Sequence, residues 1–282
     1  ESVVADAREG IEELHSVLQA QGWHADWGNE VQAAKRSWQT ELARLAQLEA
    51  SEAETLNQTR VLMELNELLR EDNIVAASGS LPSDLERVWT ARRPGAYHLE
   101  YGFSCMGYEV SGALGVKLAD PEHEVYTFVG DGGFLMGHSD LLTSIQEGHK
   151  INVLLFNNSG HQCIHNLERS QGMGTFGTEF RFREQSTGGL TGGYVPVNYA
   201  KLASAYGVKT WRVTTLTELH AAIEASKQSD VSTLIEIMVL PGTMTEGYEN
   251  FWRVGTASVS EKESVRKAYE KLNDVVKNLR KY

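Results

Sequence analysis

Residues 124–160 read EVYTFVGDGGFLMGHSDLLTSIQEGHKINVLLFNNSG, and this stretch decides the fold. An apolar run ends in Gly130-Asp131-Gly132, a segment of helical character follows, and a second apolar run ends in Asn157-Asn158. Short apolar runs bounded by turn residues on either side of a helix predict a strand–helix–strand unit. With the right-handed crossover such units adopt, the two strands run parallel and their carboxyl ends emerge at one edge of the sheet. Asp131 and Asn158 are therefore expected to face one another there, in the crevice where open α/β sheets bind ligands. A carboxylate and a carboxamide oxygen are hard donors suited to Mg²⁺, which takes its remaining ligands from water and substrate phosphates. The neighbouring glycines let backbone N–H groups approach an anion, and the following helix presents its positive end. The expected ligand is a metal-bound diphosphate.

Gly-Asp-Gly followed by 24 residues (133–156) and Asn-Asn resembles the signature of the thiamine diphosphate-dependent enzymes. The resemblance implies that Asp131, Asn158 and the backbone carbonyl of Gly160 hold Mg²⁺ against the cofactor's diphosphate. Upstream, Gly102-Phe103-Ser104-Cys105-Met106-Gly107 is similar to the G-x-x-x-M-G segment of acetohydroxyacid synthases and related decarboxylases. There a bulky apolar side chain props the cofactor in a bent conformation, a role that would fall to Met106. The cofactor-binding set so implied is Ser78, Gly79, Ser80, Met106, Gly130, Asp131, Gly132, Gly133, Phe134 and Asn158. Thiamine diphosphate and Mg²⁺ are the expected cofactors.

The chain has 282 residues, enough for a full core. A hydrophobic content of 41% and a charged content of 23% are ordinary for a globular protein. The net charge of −12 argues against a nucleic-acid partner, which would ask for a basic face. No apolar run approaches the roughly 20 residues that span a bilayer, so no membrane anchor is expected. Cys105 and Cys163 cannot build a disulfide framework, and no signal peptide is recognisable, so a cytoplasmic location is expected. The chain opens at Glu1 inside a helical pattern, which suggests a piece of a longer polypeptide.

Helical spacing over 3–18, closed by Gly22, predicts the remnant of a preceding central domain at 1–22. A helical linker at 23–55 carries an apolar stripe that includes Trp27 and Trp38, which need something to pack on. Residues 56–255 read as the diphosphate- and Mg-binding domain, with strands at 74–77, 209–213 and 233–240 and helices at 61–69, 82 onward, 108–118, 199–206 and 218–227. A charged helical tail occupies 256–282. The fold class is α/β, a doubly wound and mostly parallel sheet of the thiamine diphosphate-binding, diphosphate-type domain, with an amino-terminal helical extension. The Gly-rich segment 187–196 is long enough to be mobile.

Gly172-Met173-Gly174-Thr175-Phe176-Gly177 fits G-x-G-x-x-G but follows a polar segment instead of a strand, so a flexible loop near the cofactor edge is the better reading. His161, Cys163 and His165 lack a fourth zinc ligand, and on a helix His161 and Cys163 point to different faces. His161 is instead expected near cofactor or substrate. Neither a P-loop nor a G-x-S-x-G motif is present.

Four segments narrow the resemblance: 97–102, 161–167, 176–181 and 247–255 are similar to the trihydroxycyclohexane-1,2-dione hydrolases of myo-inositol catabolism. That group hydrolyses a carbon–carbon bond of a small polyhydroxylated cyclic diketone to give 5-deoxy-glucuronic acid. The resemblance implies a carboxyl-terminal part whose partners are an amino-terminal pyrimidine-binding half and a second subunit, in a homodimer or homotetramer. The cofactor-activating glutamate would lie in that other half. Candidate catalytic residues are Met106, Glu100, His98 and His161, with Glu109 and Gln162 as further polar groups near the mouth. A 2-oxo acid carboligase or decarboxylase, and a non-catalytic module of the same fold, are the alternatives.

Overall fold

The computed structural model describes residues 3–48, 51–52, 55–242 and 255–277. The segment Gly247-Tyr248-Glu249 used above for the resemblance lies outside the described residues, as do 278–282 of the expected tail. The chain divides into two compact units, Glu1–Arg44 and Leu45–Tyr282.

The first unit is helical. In α1 (Ala7–Ala20) the Asp6 carboxylate accepts from the N–H groups of Arg8 at 3.0 Å and Glu9 at 3.3 Å, satisfying donors that the first turn leaves free. Trp23 and Trp27 meet edge to face with ring centroids 6.1 Å apart. The helix α2 (Gly28–Leu45) closes the unit.

The second unit begins with a small antiparallel pair, β1 (Ser51–Glu52) and β2 (Thr55–Leu56). Then α3 (Gln58–Leu68), β3 (Asn73–Ala76), α4 (Ser80–Val88), β4 (Tyr97–Leu99), α5 (Tyr108–Ala119) and β5 (Val125–Gly130) follow. Next come α6 (Asp131–Gly137), α7 (Asp140–Glu147), β6 (Asn152–Asn157), α8 (Gln162–Ser170) and α9 (Tyr199–Ser204). The series ends with β7 (Lys209–Val213), α10 (Leu216–Lys227), β8 (Thr233–Met238) and α11 (Glu263–Lys277). Strands β3 to β8 form one wholly parallel sheet in the order β4-β3-β5-β6-β8-β7.

The inner strands are apolar along nearly their whole length because helices cover both faces of a parallel sheet. Val75, Val129, Val153 and Leu155 from the sheet pack with Val110, Ala113, Phe134, Leu141, Tyr199 and Ala203 from the helices. Each such fully buried large side chain contributes about 1.5–3 kcal/mol. Among the polar groups carried into the interior, Asn152 donates to Glu124 at 2.6 Å and Thr233 donates to Asn152 at 2.7 Å. At α10, Thr215 and Glu218 form a reciprocal capping box.

The single helical segment expected between Asp131 and Asn157 is two helices, α6 and α7. The break follows Gly137, which packs directly on the backbone of Gly107, while Tyr206 holds His138 through a 2.9 Å hydrogen bond. Strand β4 and helix α8 are not among the elements expected from periodicity. The former is three residues at a sheet edge, and the latter has only Gln162 and His165 buried, so neither has a strong apolar signal. The Gly-rich segment 187–196, read as long enough to be mobile, pairs with the stretch that precedes it. Val195 N donates to Phe180 O at 2.7 Å, and Phe182 and Gly192 donate their N–H groups to Gly193 O and Phe182 O at 3.0 Å.

Candidate functional site

From β3 the chain turns to one side to make β4, then returns past β3 to make β5 and β6 on the other. The connections diverge at the carboxyl ends of β3 and β5, which opens a crevice there. A cleft of about 240 Å³ occupies this point. Among the residues named from sequence, Ser78, Gly79, Ser80, Met106, Gly130, Gly132, Gly133, Asn158, Gly160, His161 and Gln162 line it.

Parallel register brings the two motif ends together. Gly130 is level with Phe156, so Asp131 and Asn158 emerge beyond paired strands. Asp131 opens α6 and is fully buried. Its Oδ1 accepts from Gly132 N at 2.9 Å and its Oδ2 from Gly160 N at 3.1 Å. Burial nevertheless outweighs these hydrogen bonds and pushes the carboxyl up to about 7. The amide end of Asn158 lies 3.2 Å from Asp131 Oδ1 and 2.8 Å from the Gly160 carbonyl oxygen. Turned one way, the Asn158 NH₂ donates to both. Turned the other way, three oxygens converge, an arrangement that repels itself and is what a hard divalent cation requires. The donor set therefore fits Mg²⁺. Among the described residues there is no cluster of three or more His, Cys, Asp or Glu side chains able to hold a metal, so the fit rests on this amide, carboxylate and carbonyl combination.

The two asparagines do different things. Asn157 points to the neighbouring strand, where its Nδ2 donates to the fully buried Glu236 at 2.7 Å, and Glu236 also accepts from Ala200 N at 3.0 Å. Asn157 Oδ1 in turn accepts from Ser159 N at 3.2 Å, bending the chain through a left-handed Ser159 with φ 60°. Gly160 is then locked under a strap. His161 N donates to Thr178 O at 2.7 Å, Phe180 N donates to Ser159 O at 2.8 Å, and any Cβ on Gly160 would collide with Thr178 O and lie 2.8 Å from Glu179 Cα. The strap is anchored by Glu179, which accepts from Arg181 Nε at 2.9 Å and Tyr194 at 2.6 Å.

On the opposite wall, Gly79 takes φ 80° at the start of α4 and places Ser80 in the first turn, where free N–H groups suit an anion. Met106 stands on the third side, 40% exposed, beside Gly107, a left-handed residue with φ 90° that opens α5. The His161 ring lies against Gly132, where a Cβ would come within 2.5 Å of its Cε1, and meets Phe180 edge to face.

Other expected residues are placed differently. Phe134 is fully buried in the core, edge to face with Tyr199 at 6.1 Å, and its side chain does not reach the cleft. His98 sits in the edge strand β4 and does not line the cleft. Glu100 bonds the N–H groups of Phe103 and Cys105, and Glu109 is buried and bonds Ser78 and Gly107. Neither carboxylate is among the cleft residues. Conversely, Leu81, Ile164 and Leu167 line it without having been singled out, as do Ser104 and Cys163, which were named without an expected place in the cofactor site. The face of α8 that carries Ile164 and Leu167, three residues apart, is the signal that could have revealed two of them.

Residues 77–237 match the family described as thiamine pyrophosphate enzyme, C-terminal TPP binding domain. The chain belongs to the thiamine pyrophosphate enzymes and carries their carboxyl-terminal cofactor-binding domain. Within them it is similar to a 3D-(3,5/4)-trihydroxycyclohexane-1,2-dione hydrolase of Clostridium tetani, with 49% identity covering 99% of this chain and 47% of that one. It is likewise similar to the hydrolase of the same name from Geobacillus thermodenitrificans, with 48% identity, 99% of this chain and 47% of the other. The chain thus spans about half the length of the curated relatives it matches. Among solved structures, a thiamine diphosphate-dependent 4-hydroxybenzoylformate decarboxylase of Rhodococcus jostii RHA1 superposes with TM-score 0.56 at 22% identity, over 68% of this chain and 34% of that one. A benzoylformate decarboxylase of Polynucleobacter necessarius gives 0.57 at 20%, over 68% and 35%. At that identity these two share the fold.

Proposed function

We propose that this chain is the diphosphate-binding half of a thiamine diphosphate-dependent hydrolase that opens trihydroxycyclohexane-1,2-dione to 5-deoxy-glucuronic acid in myo-inositol catabolism. The observation that carries this reading is an identity of 49% sustained over 99% of the chain with a relative of that name. The cofactor, when bound, supplies a nucleophilic carbon and an electron sink for breaking a carbon–carbon bond. This chain's residues bind and orient it. Asp131, Asn158 and the Gly160 carbonyl would hold Mg²⁺, and the N–H groups around Gly79, Ser80 and Gly133 would receive the diphosphate. Met106 would support the cofactor from its side of the cleft, and His161, over Gly132, would offer a polar ring on the same cleft. The pyrimidine-binding half and the activating glutamate come from polypeptide outside these residues, in a cytoplasmic homodimer or homotetramer. In this arrangement residues 1–22 end a preceding central domain, 23–55 link it, 56–255 bind the cofactor and 256–282 form a tail.

Calorimetric titration of thiamine diphosphate with Mg²⁺ into the full-length protein and its Asp131→Ala and Asn158→Ala variants tests the site. Loss of one of the ion's few protein ligands is expected to weaken cofactor binding by at least about tenfold, and unchanged affinity in both variants removes the assignment. Turnover of the cyclic diketone against pyruvate tests the substrate. A pocket arranged to hydrogen-bond ring hydroxyls discriminates strongly against an analogue that leaves its polar groups unpaired, so pyruvate should be processed poorly.

A further inference from the structure

Residues 100–109 carry Met106 on a loop with an unusual backbone. Ser104, which is not a glycine, sits at φ 52°, and Gly107 sits at φ 90°. A left-handed residue with a side chain is strained and persists only where its surroundings hold it. Here they do. Glu100 Oε1 accepts from Phe103 N at 3.1 Å and Oε2 from Cys105 N at 2.7 Å, so one carboxylate grips the N–H on each side of Ser104. Glu109 Oε2 accepts from Gly107 N at 2.9 Å, while its Oε1 accepts from Ser78 Oγ at 2.5 Å and Ser78 N at 3.2 Å. Tyr101, where the loop begins, is tied to Ser83 of α4 by a 2.7 Å hydrogen bond. The N–H groups of residues 103, 105 and 107 are thus all taken by two carboxylates. The same Glu109 joins the Met106 elbow to Ser78, on another wall of the cleft. The bonds from Cys105 and Phe103 hold the Glu100 carboxyl below its ordinary range, as expected for an acceptor of charge-assisted bonds.

We propose that Glu100 and Glu109 are positioning residues that preset the loop bearing Met106, fixing the spacing between that side chain and the Ser78-Gly79-Ser80 turn before any cofactor arrives. This rests on the cofactor site proposed above. Both oxygens of each carboxylate are already engaged with this loop or with Ser78, so neither group is free to exchange protons with a substrate.

The test compares Glu100→Gln and Glu109→Gln in the full-length protein. A glutamine keeps one acceptor oxygen and turns an NH₂ towards an N–H, so one bond is lost and two donors oppose each other. Hydrogen–deuterium exchange of cofactor-free protein, read in peptides spanning 76–109, should quicken by about tenfold at residue 103 or 105 in the first variant and at 78 or 107 in the second. With cofactor and substrate, kcat should fall while the pH–rate profile keeps its shape. Exchange equal to wild type, or a profile that loses one ionisation, would overturn the proposal. If Glu109→Gln does not fold, the partly exposed Glu100 decides alone. Failure of the wild-type protein to bind thiamine diphosphate would remove the functional reading, while the exchange experiment still judges the loop.

Discussion

Gly137→Ala places one methyl group where α6 meets the Met106 elbow. A Cβ at 137 would stand 2.7 Å from Gly107 Cα and 2.9 Å from its carbonyl carbon, and closer still to the carbonyl oxygen. Non-bonded carbons settle at about 3.5–4.0 Å, so the two backbones must part by roughly 0.6–0.8 Å or more. Gly107 cannot yield cheaply, because its N–H is held by Glu109 and its left-handed geometry starts α5. Overpacking of this kind costs about 1–3 kcal/mol, and alanine's better helix propensity offsets up to about 1 kcal/mol. With the full offset the net loss is up to about 2 kcal/mol, which corresponds to a Tm lower by up to about 8 °C for a unit of this size. The catalytic penalty should be larger than the stability penalty suggests. Displacing Met106 by an ångström misaligns the reacting groups, which can cost up to about 10²-fold in rate. Thermal unfolding and steady-state turnover of the full-length variant give both numbers. Gly115→Ala is the control, since a Cβ there meets nothing within 4 Å and should leave Tm unchanged or slightly raised. Wild-type Tm and wild-type turnover in Gly137→Ala would show that the elbow is not rigid and would refute the reasoning.

Gly132→Ala should behave differently, because its new Cβ meets the His161 ring and not backbone. The ring can swing away, so Tm should change by less than about 2 °C while turnover falls, and a crystal structure of the variant should show His161 rotated out. For pH, the metal needs the Asp131 carboxylate, and burial holds that group's pKa at about 7. Below about pH 7 the ion must displace a proton, so Mg²⁺-dependent cofactor affinity should fall by about tenfold per pH unit and level off above it. A flat affinity between about pH 5.5 and about 8, measured by titration, would show that Asp131 is ionised throughout that range.

The parts of the site that are legible in sequence are those that local structure places. Asp131 and Asn158 end neighbouring parallel strands, so a strand–helix–strand reading suffices to bring them together. What sequence leaves open depends on the direction of side chains and on distant partners. Asn157 and Asn158 are adjacent and chemically identical, but alternation along β6 sends the first to Glu236 and the second to the cleft. Phe134 follows the motif glycines closely, yet the rotation of α6 turns it onto Tyr199. Glu100 and Glu109 look like reactive acids beside Met106, and only the folded chain reveals that backbone N–H groups occupy them. The strap that locks Gly160 comes from around Thr178, well downstream in a stretch with no periodic signal.

The convergence of Asp131, Asn158 and the Gly160 carbonyl contains one formal negative charge. A divalent ion held by these three keeps a surplus of about one positive charge, in a place where burial makes uncompensated charge expensive. An anion arriving at the Gly79–Ser80 turn neutralises that surplus, and the anion without the ion faces little more than backbone dipoles. Ion and diphosphate are therefore thermodynamically coupled: whatever factor the ion adds to the affinity for diphosphate, the diphosphate adds to the affinity for the ion. A chain with this ligand set should titrate as a cooperative pair, each component a poor ligand by itself.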